Sequence, residues 1–324
     1  MKKALIIALV GAPIASQAQF FDNFDVDSTA NWIFNSSFAG DLPNNNSHGE
    51  ANFFFDYGEI GIPSAPNSVG GTTRGLKMEA NVFGTNPSVF MGVSASPLGQ
   101  SFTGDYILTF DAWQNFQGPF PVGGNGTTQA LLAGIGTTGI VAQFPGGNFH
   151  SVGFASTNDG GSSSDYRAYT ASGAPLAETS GVYAAGNTAG VTNHTHSYYA
   201  GFQGTVPAAQ TTWAQNQGFL DQHGSTHPGV LGMAWRQWRI ERAGSTVTWH
   251  VDGLLIATVT GTNPQGDNIF VGYFDTNTGA STQAISRQLL FGLVDNVRVT
   301  PVPEPGTLAV LGLGALGLLR RRRR

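Results

Sequence analysis

The stretch from Trp235 to Thr260 constrains the fold more than any other part of the chain. Trp238 and Ile240 alternate with Arg239 and Glu241, the period of a strand with one buried face. Ala243-Gly244-Ser245 then reads as a turn, and Val247, Trp249 and Val251 share one face of the next strand. Asp252-Gly253 supplies the two positive φ angles of a type I′ hairpin, so Leu254 to Thr260 returns antiparallel. Three strands in a meander with one apolar face need a second apolar layer to cover them. Candidate partners are Phe20 to Asp25, Trp32 to Phe34, Phe53 to Phe55, Arg74 to Ala80, Phe102 to Asp111, Asn268 to Phe274 and Leu289 to Val299. Glycine at 45 of 324 residues disfavours long helices and suits many tight turns. The fold class expected is all-β, an antiparallel β-sandwich.

Residues 112–230 interrupt the pattern. Gly118 to Gly126 and Thr157 to Ser164 are rich in glycine and serine, with strand-like pieces such as Leu131 to Ile135 between them. The expectation is long loop insertions on one sandwich domain spanning 19–301. The chain has no cysteine, so this body must hold through its core.

The two ends have a different character. Lys2 and Lys3, an apolar run from Ala4 to Val10 and Ser16-Gln17-Ala18 form the three parts of a signal peptide over 1–18. At the other end, Val302, Pro303, Glu304 and Pro305 precede an uncharged span, Gly306 to Leu319, and then Arg320, Arg321, Arg322, Arg323 and Arg324. As a helix that span is about 21 Å long, short of the roughly 30 Å hydrocarbon core. Local thinning and arginine snorkelling let it serve as a short transmembrane helix, with the arginines as a cytoplasmic stop.

This terminal order resembles the PEP-CTERM sorting signal. The resemblance implies handling by an exosortase, a membrane-embedded cysteine protease, acting near Pro303-Glu304-Pro305. It implies transient residence in the inner membrane and then a cell-surface or extracellular-matrix location. The body carries its own resemblance. Asp22-Asn23-Phe24-Asp25, the run Val247 to Ile256, and Val294-Asp295-Asn296-Val297-Arg298-Val299 are similar to a concanavalin A-like or laminin-G-like jelly roll. In such a sandwich the first and last strands usually pair, which would bring Asp22 or Asp25 near Asp295.

Four chemistries are open to these residues. Glycoside hydrolysis needs two carboxylates about 5 Å apart. No strand carries two acids at i, i+2 with Glu among them, and Asp25 and Asp27 sit in a cap-like context. His194 and His196 would share a face if their segment were a strand, and His223 and His227 could join them as metal ligands. Asp22, Asn23 and Asp295 could supply hard oxygen ligands to a structural calcium ion. Trp113, Tyr166, Tyr169, Tyr183, Tyr198, Tyr199 and Trp213 could stack on sugar rings or pin loops to the sandwich. Most acids lie in the body, whereas Lys2, Lys3 and the five terminal arginines lie in the ends, so nucleic acid is not an expected partner.

The sequence thus predicts an exported protein without catalytic activity, with a structural, adhesive or glycan-binding role and polysaccharide as the possible partner. The alternative is a secreted polysaccharide-active enzyme, a hydrolase or lyase, on the same jelly roll. Mass spectrometry of the exported protein is expected to show a mature chain beginning at Gln19 and lacking Arg320 to Arg324. A mature form that retains those arginines would contradict the sorting assignment.

Overall fold

The computed structural model describes residues 18–38, 40–41, 43, 48–81, 90–118, 129–157, 159–171, 173–276 and 288–302. Residues 1–17 of the expected signal peptide over 1–18, and the segment from Pro303 to Arg324 with the expected short transmembrane helix, lie outside them. Among the described residues fourteen strands build two antiparallel sheets that form a sandwich.

The larger sheet contains β1 (Phe20–Asp22), β3 (Glu50–Asp56), β4 (Arg74–Glu79), β6 (Tyr106–Asn115), β10 (Arg236–Ala243), β11 (Thr246–Val251), β12 (Leu254–Val259) and β14 (Phe291–Pro301). Its order is β12-β11-β10-β6-β14-β4-β3, with β1 also on β14. The smaller sheet runs β2-β5-β13-β7-β8-β9. Its strands are β2 (Trp32–Ser36), β5 (Met91–Pro97), β7 (Gln129–Thr137), β8 (Val152–Thr157), β9 (Tyr166–Tyr169) and β13 (Asn268–Asp275).

The β10–β11–β12 meander folds as its alternation requires. Asp252 and Gly253 adopt φ of 48° and 82°, the two left-handed positions of the hairpin turn. Trp238, Ile240, Val247, Trp249 and Val251 are buried between the sheets with Phe110, Leu131, Phe154 and Val271. Trp249 stacks on Phe154 at 5.4 Å between ring centroids and lies 4.7 Å from Trp238.

The 112–230 stretch differs from the expected run of insertions. It supplies β7, β8 and β9 to the smaller sheet, and β7 lies inside that sheet. The reason is that β7 is buried on both faces. Leu131, Ala133 and Ile135 face the sandwich core, while Ala130 and Leu132 pack with Phe144, Phe149, Phe270 and Phe274 on the outside. A strand covered on both faces has no polar alternation to reveal it. The remainder of the stretch holds one α-helix, α1 (Ala208–Asn216), and long loops.

The segment that starts at Tyr57, with the loops around Val206 and Met233, covers one part of the larger sheet's outer face. Trp113, Phe291 and Leu293 pack there against Tyr57, Ile62, Val206 and Met233. The other part of that face, where β6, β10 and the far end of β14 run, keeps exposed side chains such as Gln237 and Arg298.

Trp249→Ala empties a site walled by aromatic rings and is expected to cost about 3–5 kcal/mol in urea unfolding. Trp249→Phe should cost much less, because the indole Nε1 it removes is buried without a hydrogen-bond partner.

Candidate functional site

The open part of the outer face centres on an irregularity in β14. One edge of this strand pairs with β4 through Gly292 to Val294 and with β1 through Val297 to Val299. Between these two stretches the register of β14 against β6 shifts, from Asp295 to Arg298, and Asn296 takes a φ of 55°, a conformation Asn tolerates better than most residues. On the opposite edge Asp295 lies directly across from Asp111 of β6. Both aspartates are fully buried.

The segment from Tyr57 to Thr73 meets these carboxyl groups. The Tyr57 hydroxyl and Ser68 Oγ donate to Asp295 Oδ2 at 2.9 and 2.8 Å, and the Asn296 amide donates to Oδ1 at 2.7 Å. Asp111 accepts from the Asn67 amide at 3.1 Å, Asn67 Nδ2 at 2.7 Å and Asn296 Nδ2 at 3.0 Å. Burial pushes the Asp295 carboxyl up to about 7, against the bonds from Ser68 and Tyr57. Burial raises Asp111 as well, against its bonds from Asn67 and Asn296.

Above the pair opens a cleft of about 260 Å³ lined by Phe21, Asn67, Thr109, Phe110, Gln237, Asn296 and Arg298. Phe21 is 46% exposed, and the Arg298 guanidinium lies 4.7 Å from its ring centroid. The cleft therefore offers a ring, three carboxamides, a hydroxyl and a cation around one opening.

A second acidic pair lies across β3 and β4, where Glu50 is opposite Glu79. Glu79 meets Lys77 Nζ at 2.8 Å. Burial and then the neighbouring Glu79 raise the Glu50 carboxyl, while Lys77 opposes them.

The expected calcium ligands do not converge. β1 and β14 pair as anticipated, but Asp22 aligns with Val297, whose side chain is in the inter-sheet core. The Asp22 oxygens accept from the Phe24 amide, Ser28 Oγ and Trp32 Nε1 at 2.8–2.9 Å. Asn23 Nδ2 donates to Asp25. Asp295 has the different partners given above, so Asp22, Asn23 and Asp295 do not fit one calcium ion.

The histidines do not share the face that a strand would have given them. Residues 193–199 form turns and a short 3-10 helix rather than a strand. His196 Nδ1 accepts from the Tyr198 amide at 3.2 Å. His194 Nδ1 lies 2.9 Å from Asp165, whose hydrogen bond raises the imidazole pKa against burial. His227 is near, with ring centroids 6.1 Å apart, and His223 is exposed. Among the described residues no three His, Asp or Glu side chains are grouped to hold a metal.

Of the loop aromatics, Trp113, Tyr166, Tyr169, Tyr183 and Tyr199 are buried, and Tyr198 and Trp213 are half-buried. The ring presented at the cleft is Phe21. Its alternation with the inward-packed Phe20 was the available sequence signal.

Residues 301–324 match the model of the PEP-CTERM protein-sorting motif. The chain is thus an exported protein, anchored in the membrane as a precursor and then released to the cell surface. Pro303, Glu304, Pro305 and the five arginines fall within the match, which begins at the last residue of β14. Val302 donates its amide to Asp105 at 2.9 Å. No curated protein matches the chain.

Solved structures of similar fold include a Bacillus subtilis protein of unknown function with a galectin-like fold. It is 8% identical at a TM-score of 0.42, covering 88% of this chain and 97% of that one. The Bacillus licheniformis beta-glucanase is 14% identical at 0.37, covering 87% and 98%. An endo-beta-1,4-glucuronan lyase from Trichoderma reesei is 10% identical at 0.38, covering 88% and 96%. The expectation that this chain is not an enzyme is corrected at this point. The paired acids sought along one strand occur across neighbouring strands, Asp111 with Asp295 and Glu50 with Glu79, so their absence from any single strand does not exclude an enzyme.

Asp295 also makes stability depend on pH. Its folded pKa of about 7 exceeds the ordinary 3.8, so the folded state holds a proton that the unfolded state releases. Stability from this site is full below about pH 4 and is lost as pH rises towards and through 7. Asp295→Asn, whose amide can donate to the two hydroxyls, should flatten that decline. The change bears on at most roughly 4 kcal/mol, measured by urea unfolding between pH 4 and 8. An unchanged slope would contradict the assignment.

Proposed function

We propose that this exported protein recognises polysaccharide at the cell surface through the cleft above Asp111 and Asp295. The observation that supports this reading is the cleft's lining. An exposed Phe21 ring can stack on the apolar face of a sugar. Asn67, Gln237, Asn296 and Thr109 carry donors and acceptors that match ring hydroxyls. The carboxyl groups beneath hold Asn67 and Asn296 in place, so the amides are fixed before a ligand arrives.

The body over 19–301 is then the working part, with 1–18 and 302–324 as export and sorting segments. Exosortase is the partner during sorting and cuts near Pro303-Glu304-Pro305. Arg320 to Arg324 act as the cytoplasmic stop. On the surface, glycan contact gives the protein an adhesive or structural role.

A second reading, a polysaccharide-active enzyme, is favoured by the Glu50–Glu79 pair. Opposed residues of antiparallel strands have Cβ atoms roughly 5 Å apart, which lets the two carboxyl groups approach the roughly 5 Å separation of retaining glycoside hydrolysis. Glu50, the carboxyl that burial raises, would hold the proton as acid, with Glu79, paired to Lys77 at 2.8 Å, as its partner carboxylate.

Glycan-array and calorimetric binding should find oligosaccharide ligands for the 19–301 body. Phe21→Ala and Gln237→Ala should each weaken binding about tenfold or more without lowering the melting temperature. Binding untouched by both changes would overturn the cleft assignment. Release of reducing ends that Glu50→Gln and Glu79→Gln both abolish would establish the second reading.

A further inference from the structure

We infer that the cleft is built for an acidic polysaccharide, one bearing uronate carboxylates, with Arg298 as the residue that selects it. This inference rests on the glycan-recognition reading and names the ligand class for the same cleft.

Arg298 stands apart from the other described basic side chains. Arg74, Lys77, Arg236 and Arg239 each meet a carboxylate, at 3.4, 2.8, 3.0 and 2.7 Å. Arg167 donates to Ser164 O and Ser162 Oγ, and Arg242 donates to Gly244 O. Arg298 is exposed, lines the cleft and meets none of the described carboxylates at ion-pair distance. Its structural contact is the Phe21 ring.

Two features hold Arg298 at the opening. The Phe21 face supports the guanidinium by cation–π attraction. Asp111 and Asp295 beneath the cleft are fully buried, and their oxygens are occupied by Asn67, Asn296, Tyr57 and Ser68. They face the cleft through amides, not through free carboxylate oxygens.

A planar guanidinium offers two parallel donors, which match a carboxylate. A uronate can place that group on Arg298 while its hydroxyls meet Gln237, Asn67 and Thr109 on the same opening. A neutral sugar leaves the cation without a partner.

Calorimetric titration of the 19–301 body with an oligogalacturonide and with a neutral galacto-oligosaccharide of the same length tests this. The wild type should bind the uronate oligomer about tenfold tighter than the neutral one. Added salt should weaken only the uronate oligomer. Arg298→Gln should bring the two affinities together by weakening the uronate alone. Arg298→Lys, which keeps the charge but not the fork, should fall between. Both variants sit on an exposed side chain, and their melting temperatures should match the wild type. Equal wild-type affinity for both oligomers, or a preference that survives Arg298→Gln, would overturn the inference and leave glycan recognition standing. No binding of either oligomer, nor of any other glycan, would remove the recognition reading and this inference with it.

Discussion

Two carboxyl groups set side by side on a sheet face repel each other and resist burial. In this protein Asp111 and Asp295 stand in that position, and the segment from Tyr57 to Thr73 answers them with two hydroxyls, a carboxamide and a backbone amide. The same carboxyl groups that cost free energy to bury therefore dock a long loop. That loop sets the boundary between the covered and the open part of the larger sheet's outer face. Asn67 and Asn296, which line the cleft, owe their places to this network.

Much of the sandwich could be read from the chain. The meander from Arg236 to Val259 followed from alternation and from Asp252-Gly253, and the structure puts both turn residues at positive φ. The smaller sheet was harder. β7 packs aromatic or aliphatic neighbours on both faces, so its sequence shows an apolar run instead of a period.

The candidate site was the least legible part. Asp111 and Asp295 are 184 positions apart, and so no local spacing relates them. Glu50 and Glu79 are likewise joined only by strand register. Pairing of β1 with β14 was foreseen, but pairing does not tell which face each side chain takes. Asp22 turns to Trp32 on the core side, while Asp295 turns outward to Tyr57. Phe21 shows the converse. Its neighbour Phe20 is the inward residue, and period-2 geometry alone sends Phe21 to the open face.

The placement of β14 has a consequence for how the molecule comes into being. Its neighbours β1, β4 and β6 all precede residue 116, yet β14 itself ends at Pro301, where the sorting match begins. Until that strand is delivered, the larger sheet consists of separated pieces with open hydrogen-bonding edges. Closing the larger sheet therefore waits on β14, the strand that borders the sorting motif.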